Sequence, residues 1–223
     1  MAMGLQGDYS LDLDPRDLVI QREIGRSEAS TVFEVRICGK IRVMKLFHDN
    51  GDPGYSRRGR DLNRFRCELN AYRNLLEFGV CERGFVPFFY GYIDRLDPSP
   101  YHHQLNHFKK DKFLPRAIVL EYIPEVERLN CLNYSDDLFR YAVDGIREIH
   151  DAHVHHHDIY PKNMLVVSGT RIVWIDFDVA TTFQDMGTCE QKYCEYEVEL
   201  VKSFGKLLKD DQLQGLPPNT KYY

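Results

Sequence analysis

The sequence predicts an α+β fold in which an antiparallel β-sheet with one helix comes first and a reduced, mainly helical half follows. Three observations predict it. Apolar and polar side chains alternate over residues 18–24, 31–37 and 41–47, the period of half-buried strands. Leu62, Phe65, Leu69, Tyr72, Leu75 and Leu76 recur at helical spacing over 62–78. After residue 123 the helical period dominates, broken only by the short apolar runs of "MLVVSGTRIVWIDFDVA".

The elements follow in order. "LVIQREI", "TVFEVRI" and "IRVMKLF" are three antiparallel strands, the last two joined by a tight turn at Cys38-Gly39-Lys40. Residues 48–60, rich in Gly and charge, are a loop before the helix over 62–78. Strands over 88–94 and 116–123 flank "RLDPSPYHHQLNHFKKDKFLP". That polar insert of roughly twenty residues is expected as a surface loop, either functional or mobile. Ser135 is an N-cap candidate with two acids behind it, and Leu138, Tyr141, Ala142, Ile146 and Ile149 give one helical face. Two short strands then turn at Ser168-Gly169, and "KYCEYEVELVKSFGKLLKD" is a helix. The expected organisation is an N-terminal extension (1–17), a first lobe (18–123), a second lobe (124–209) and a tail (210–223).

Composition removes several classes of function. In 223 residues, 43% are hydrophobic, enough for a sizeable core, and the net charge is −5 without a long Lys/Arg block, which argues against nucleic acid as a partner. No run of 18 apolar residues and no apolar leader is present, so the expectation is a cytoplasmic protein without a membrane span. Six cysteines lie scattered without CxxC pairs and are expected as reduced thiols. The three histidines at 155–157 have no Cys/His pair at ligand spacing beside them, which argues against a transition-metal site.

Five segments carry candidate chemistry. "GRSEASTV" (25–32) is a strand–turn–strand with small residues. "VMK" ends at Lys45, whose neighbours Met44 and Leu46, with Val43, place the ammonium in apolar surroundings, where a lone charge is costly. "VLEYI" (119–123) closes a strand. "HHHDIYPKNMLV" (155–166) packs polar groups against an apolar run, and "WIDFDVA" (174–180) follows. The first four each have an ordinary reading: a turn without ligand, a solvated edge lysine, an edge strand, a solvated His-rich turn.

Together and in this order, over residues 18 to about 208, they resemble the protein-kinase-like superfamily. The short form is similar to lipopolysaccharide kinases and other small-molecule kinase-like proteins, among them short kinase-like proteins of filamentous fungi. The resemblance implies a two-lobed kinase-like fold that uses ATP and Mg²⁺. Gly25, Ser27, Ser30 and Val32 stand at the four places of the glycine-rich phosphate loop, two glycines having become serines. Lys45 would reach the α- and β-phosphates with Glu68 as its partner. Leu120 would be the gatekeeper, and Glu121 and Ile123 the hinge that meets adenine. His156, Asp158 and Asn163 match the catalytic loop: Asp158 the base, Asn163 a Mg²⁺ ligand, His156 structural, His155 and His157 facing solvent or the substrate side. Tyr160 replaces the usual lysine, and Lys162 would supply its charge. Asp176 would chelate Mg²⁺. Asp178 stands where the family has glycine and is expected to face solvent. Only 47 residues follow Asp176, without Ala-Pro-Glu, so the expected acceptor is a small molecule and not a peptide. The alternatives are a pseudokinase that binds or scaffolds, and an atypical protein kinase.

Overall fold

The computed structural model describes residues 9–101 and 103–219. The first eight residues of the expected N-terminal extension and the last four of the tail lie outside them. Among the described residues the architecture is α+β, with antiparallel sheets and three α-helices. No helix among the described residues is long and apolar enough to cross a membrane. The chain forms two compact units, residues 1–53 with 89–122, and 54–88 with 123–223.

The first unit is a five-stranded sheet. Strands β1 (Leu18–Arg26), β2 (Ser30–Ile37), β3 (Lys40–Phe47), β4 (Phe89–Ile93) and β5 (Arg116–Glu121) lie in the order β1-β2-β3-β5-β4, every pair antiparallel. The β2–β3 hairpin turns through Cys38 (φ 47°) and Gly39 (φ 80°), between paired Ile37 and Lys40. Two left-handed residues match the twist of the strands they join. One face of the sheet carries Phe33, Val35, Met44, Leu46, Ala117 and Val119, all buried. The segment 95–115, expected as a surface loop, covers this face: Tyr101, Leu105 and Phe108 are buried in the same cluster. Its polar composition hides three apolar residues spaced about a turn apart, and each fully buried side chain of this size contributes about 1.5–3 kcal/mol. Asp111 accepts from His48 Nδ1 at 2.8 Å, and His107 Nε2 lies 3.0 Å from Thr31 Oγ1, so the second half of the segment is fastened to β2 and to the residue after β3.

The second unit begins with α1 (Arg64–Glu77), which belongs to this unit and not to the one containing the five strands. Its cap is Asn63, whose side chain accepts from Arg66 N–H. After β6 (Val126–Arg128) comes α2 (Asp136–Asp151), capped by Ser135 Oγ on Leu138 N–H at 3.2 Å, as the sequence suggests. The amphipathic face of α2 buries Leu138, Phe139, Ala142, Val143, Ile146 and Ile149. Strands β7 (Val154–His155), β8 (Met164–Val167), β9 (Arg171–Trp174) and β10 (Thr181–Thr182) follow, then α3 (Thr188–Leu213). β6, β8 and β9 form one sheet, and β7 pairs with β10. All six cysteines are free thiols, as expected, and burial pushes those of Cys67 and Cys194 up to about 11.

Candidate functional site

Two antiparallel pairings in the second unit bring distant polar residues together. Met164 pairs with Trp174 across β8–β9, and His155 with Thr181 across β7–β10. The loop 156–163 and the loop 175–180 are therefore each clamped at both ends by the same two strand pairs. Ile175 N–H donates to Asn163 C=O at 3.0 Å, so Asn163 and the residue before Asp176 touch at the open end of the hairpin. Twelve residues of separation are closed by the Ser168-Gly169 turn.

Within loop 156–163 the polar groups hold one another. Asn163 is 4% exposed, and its Nδ2 donates to Asp158 C=O at 2.7 Å. Its Oδ1 makes no hydrogen bond among the described residues, so an oxygen lone pair is left for a ligand. Asp158 Oδ2 lies 3.1 Å from Lys162 Nζ, both side chains part-exposed. His156 is fully buried and joins the two loops: its Nε2–H donates to Ile175 C=O at 3.1 Å and its Nδ1 accepts from Asp158 N–H at 3.3 Å. A carbonyl can only accept and an amide N–H only donate, so the ring is fixed in one tautomer. Its ring also packs 4.7 Å from Phe177, which in turn meets Tyr72 of α1 edge-on at 5.4 Å. Asp176 has φ 70°, a backbone region a non-glycine residue occupies only when its surroundings impose it.

The residue that sequence reasoning missed is Glu197, on α3. It is 3% exposed and anchors the loop by its backbone: Oε2 accepts from His156 N–H (3.1 Å) and Oε1 from His157 N–H (2.7 Å). Oε2 also accepts from His150 Nε2 at 2.7 Å, and His155 Nε2 lies 3.6 Å from Oε1. Burial opposes ionisation, yet the His150 hydrogen bond and the nearby imidazoles hold the carboxyl down to about 2. The only signal was a glutamate on the apolar side of a helix, in "YCEYEVEL".

Of the two histidines expected to face solvent or the substrate side, His157 is exposed. His155 does not face solvent: its side chain is 13% exposed and its Nδ1 lies 3.2 Å from His157 Nε2, which meets Thr181 Oγ1 at 2.9 Å. Partial desolvation of the rings, with the imidazoles crowded against one another, lowers the pKa of both, that of His157 to about 4 although its residue keeps an exposed edge. Asp178 does not face solvent either; it accepts from Arg64 Nη1 at 3.0 Å with a side chain 15% exposed. Arg64 opens α1, so the position is filled by a carboxylate that a specific cation needs.

The other predicted residues divide between the units: Gly25, Ser27, Ser30, Val32, Lys45, Leu120 and Glu121 in the first, Glu68 and Ile123 in the second. In the five-stranded sheet Gly25 pairs with Val32, Val32 with Lys45, and Lys45 with Ile118, one row across four strands. Leu120 pairs with Val43 in the next row of that face, whereas Glu121 pairs with Arg42 on the opposite face. Lys45 is 7% exposed and Glu68 is 1% exposed.

The turn 27–30 is closed by its own serines. Ser27 Oγ accepts from Ala29 N–H (3.2 Å) and Ser30 N–H (3.1 Å), and Ser27 N–H donates to Ser30 C=O at 2.8 Å. A glycine would leave those amides open.

No group of three or more His, Cys, Asp or Glu side chains among the described residues is arranged to hold a metal by itself. Asn163 Oδ1 and the Asp176 carboxylate are hard oxygens, the donor type that Mg²⁺ takes. No protein-family model matches the chain, and no curated protein matches it.

Proposed function

We propose that the protein is an ATP-dependent phosphotransferase of the protein-kinase-like type, which moves the γ-phosphate to a hydroxyl of a small molecule. The observation that carries this reading is the pair of clamped loops. One holds a carboxylate, a cation and a buried amide oxygen within six residues, and the other brings a second carboxylate to the same hairpin end. Asp158 orients the acceptor hydroxyl and takes its proton. Lys162, 3.1 Å from Asp158, sets positive charge beside the group being transferred. Asn163 and Asp176 would hold Mg²⁺, which when bound neutralises the phosphate oxygens. Lys45, in the row with Gly25 and Val32, would hold the α- and β-phosphates, while Ser27, Ser30, Leu120 and Glu121 of the same unit would surround the nucleotide.

One observation favours a second reading, a pseudokinase scaffold. The amides of Ala29 and Ser30, which a phosphate loop would offer to its ligand, are taken by Ser27 Oγ. Thermal unfolding with ATP, with and without Mg²⁺, separates these readings from a protein that binds no nucleotide. A Mg²⁺-dependent rise in Tm that Asp176→Ala removes is the expected result. No rise in the wild-type protein would sink the phosphotransferase and the nucleotide scaffold alike. A rise without phosphate transfer to any of a panel of alcohols would leave the scaffold.

A further inference from the structure

Arginines in this chain are paired with few exceptions. Among the described residues the side chains of Arg57, Arg58, Arg60 and Arg128 alone make no hydrogen bond or ion pair, and three of these four sit in one turn. The turn is built, not loose. Tyr55 bridges to Asp61, Ser56 N–H donates to Arg60 C=O at 2.8 Å, Gly59 N–H to Ser56 C=O at 2.9 Å, and Arg60 N–H to Ser56 Oγ at 3.0 Å. Its one acid, Asp61, is already engaged: it accepts from Arg66 Nη2 at 2.7 Å and from Asn63 N–H at 2.9 Å. All three guanidinium groups are exposed in a protein whose net charge is −5.

The turn also borders the clamped loops within the same unit. It leads into Arg64, which holds Asp178, and Arg60 lies close enough to His157 for its charge to act on that imidazole. Three like charges on one short turn repel one another, and an acidic protein has carboxylates enough to neutralise them. Water screens that repulsion at an exposed turn, and an anion that met all three would replace it with attraction.

We propose that the turn 55–61 is a binding site for a phosphate monoester, and that the acceptor of the phosphotransferase carries this group beside its hydroxyl. Guanidinium forks match phosphate oxygens in pairs of parallel N–H···O bonds, and a dianion satisfies more than one fork. The acceptor half of the statement rests on the phosphotransferase reading; the binding half does not.

The test uses the full chain without nucleotide. Inorganic phosphate is titrated while the arginine side-chain Nε–Hε resonances are followed by NMR, with chloride matched for ionic strength. Saturable shifts of Arg57, Arg58 and Arg60 are expected, and at least a tenfold weaker affinity for R57Q/R58Q/R60Q, whose fold is checked by the fluorescence of its single tryptophan. Shifts that are absent, that persist in the triple variant, or that chloride reproduces would overturn the site. Failure of MgATP to bind would remove the phosphotransferase reading and leave this titration to decide the site. The acceptor role is read from turnover of glycerol 3-phosphate against glycerol. A preference for the phosphate ester that the triple variant loses through KM, with the KM for ATP unchanged, is expected; equal use of both overturns it. Co-sedimentation with phosphatidic acid vesicles, and not with phosphatidylcholine vesicles, would place the same monoester on a lipid.

Discussion

At the scale of the residue, Asp158 and Ser27 carry the sharpest consequences. Asp158→Asn keeps the shape of the side chain and removes its basicity, so turnover should fall about 10²–10⁴-fold while MgATP affinity is unchanged. That loss corresponds to about 3–5 kcal/mol of barrier. Steady-state kinetics beside equilibrium nucleotide binding checks it, and near-normal turnover would remove Asp158 as the base. Ser27→Gly releases the amides of Ala29 and Ser30 from the Ser27 hydroxyl. If those amides meet phosphate, ATP should bind about fivefold tighter, one net hydrogen bond's worth. Unchanged affinity in a titration calorimeter would show that the turn does not touch the nucleotide.

At the scale of the element, α3 decides how well the loop 156–163 is held. Glu197 gives each of its oxygens to a backbone N–H of that loop and one of them also to His150. Glu197→Gln keeps one acceptor and puts an amide donor against a second donor. The loss should be about 3 kcal/mol, typical of breaking a buried charged network, with turnover falling further than MgATP affinity; equal urea midpoints would contradict the anchor. Gly205 sits where α3 crosses α2, and a Cβ there would enter the van der Waals envelope of the Phe139 ring. Alanine is the better helix former by about 1 kcal/mol, but overpacking costs about 1–3 kcal/mol. Gly205→Ala should therefore lower the Tm, and Phe139→Leu in the same chain should recover part of it. A higher Tm in Gly205→Ala alone would mean that α3 moves away at no cost.

At the scale of the whole molecule, acid is the lever, and the chain's one tryptophan, the fully buried Trp174 of the second unit, reports on it. Glu197 is held below its ordinary range, so its contribution is present above about 4.5 and lost as the pH falls toward about 2. His155 and His157 are also held below theirs, so the unfolded chain takes up their protons first. Their contribution is full above about 6.5 and is lost as the pH falls through that value, for His157 toward about 4. Both effects have the same sign. The urea midpoint from Trp174 fluorescence should drop between pH 7 and pH 4, and His157→Asn should flatten the upper part of that slope. A constant or rising midpoint on acidification would refute the network's role.

Local physics made much of this protein legible before folding. Alternation marks the strands, since one face of each must be buried. The Ser135 cap and the helical stripe behind it mark α2 for the same reason. The order of Lys45, Asp158, Asn163 and Asp176 was likewise written in the chain, because spacing along a loop or strand is a local property. Other features depended on pairings that no local window contains. The polar segment 95–115 hid Tyr101, Leu105 and Phe108, whose burial requires a sheet face supplied by other strands. Asp178 found Arg64, and Ser27 turned its hydroxyl onto its own amides. Glu197 became the anchor of a loop about forty residues away in sequence only because α3 carries it there. A charge on a helix looks solvated in sequence; what it faces is decided by the elements that fold against it.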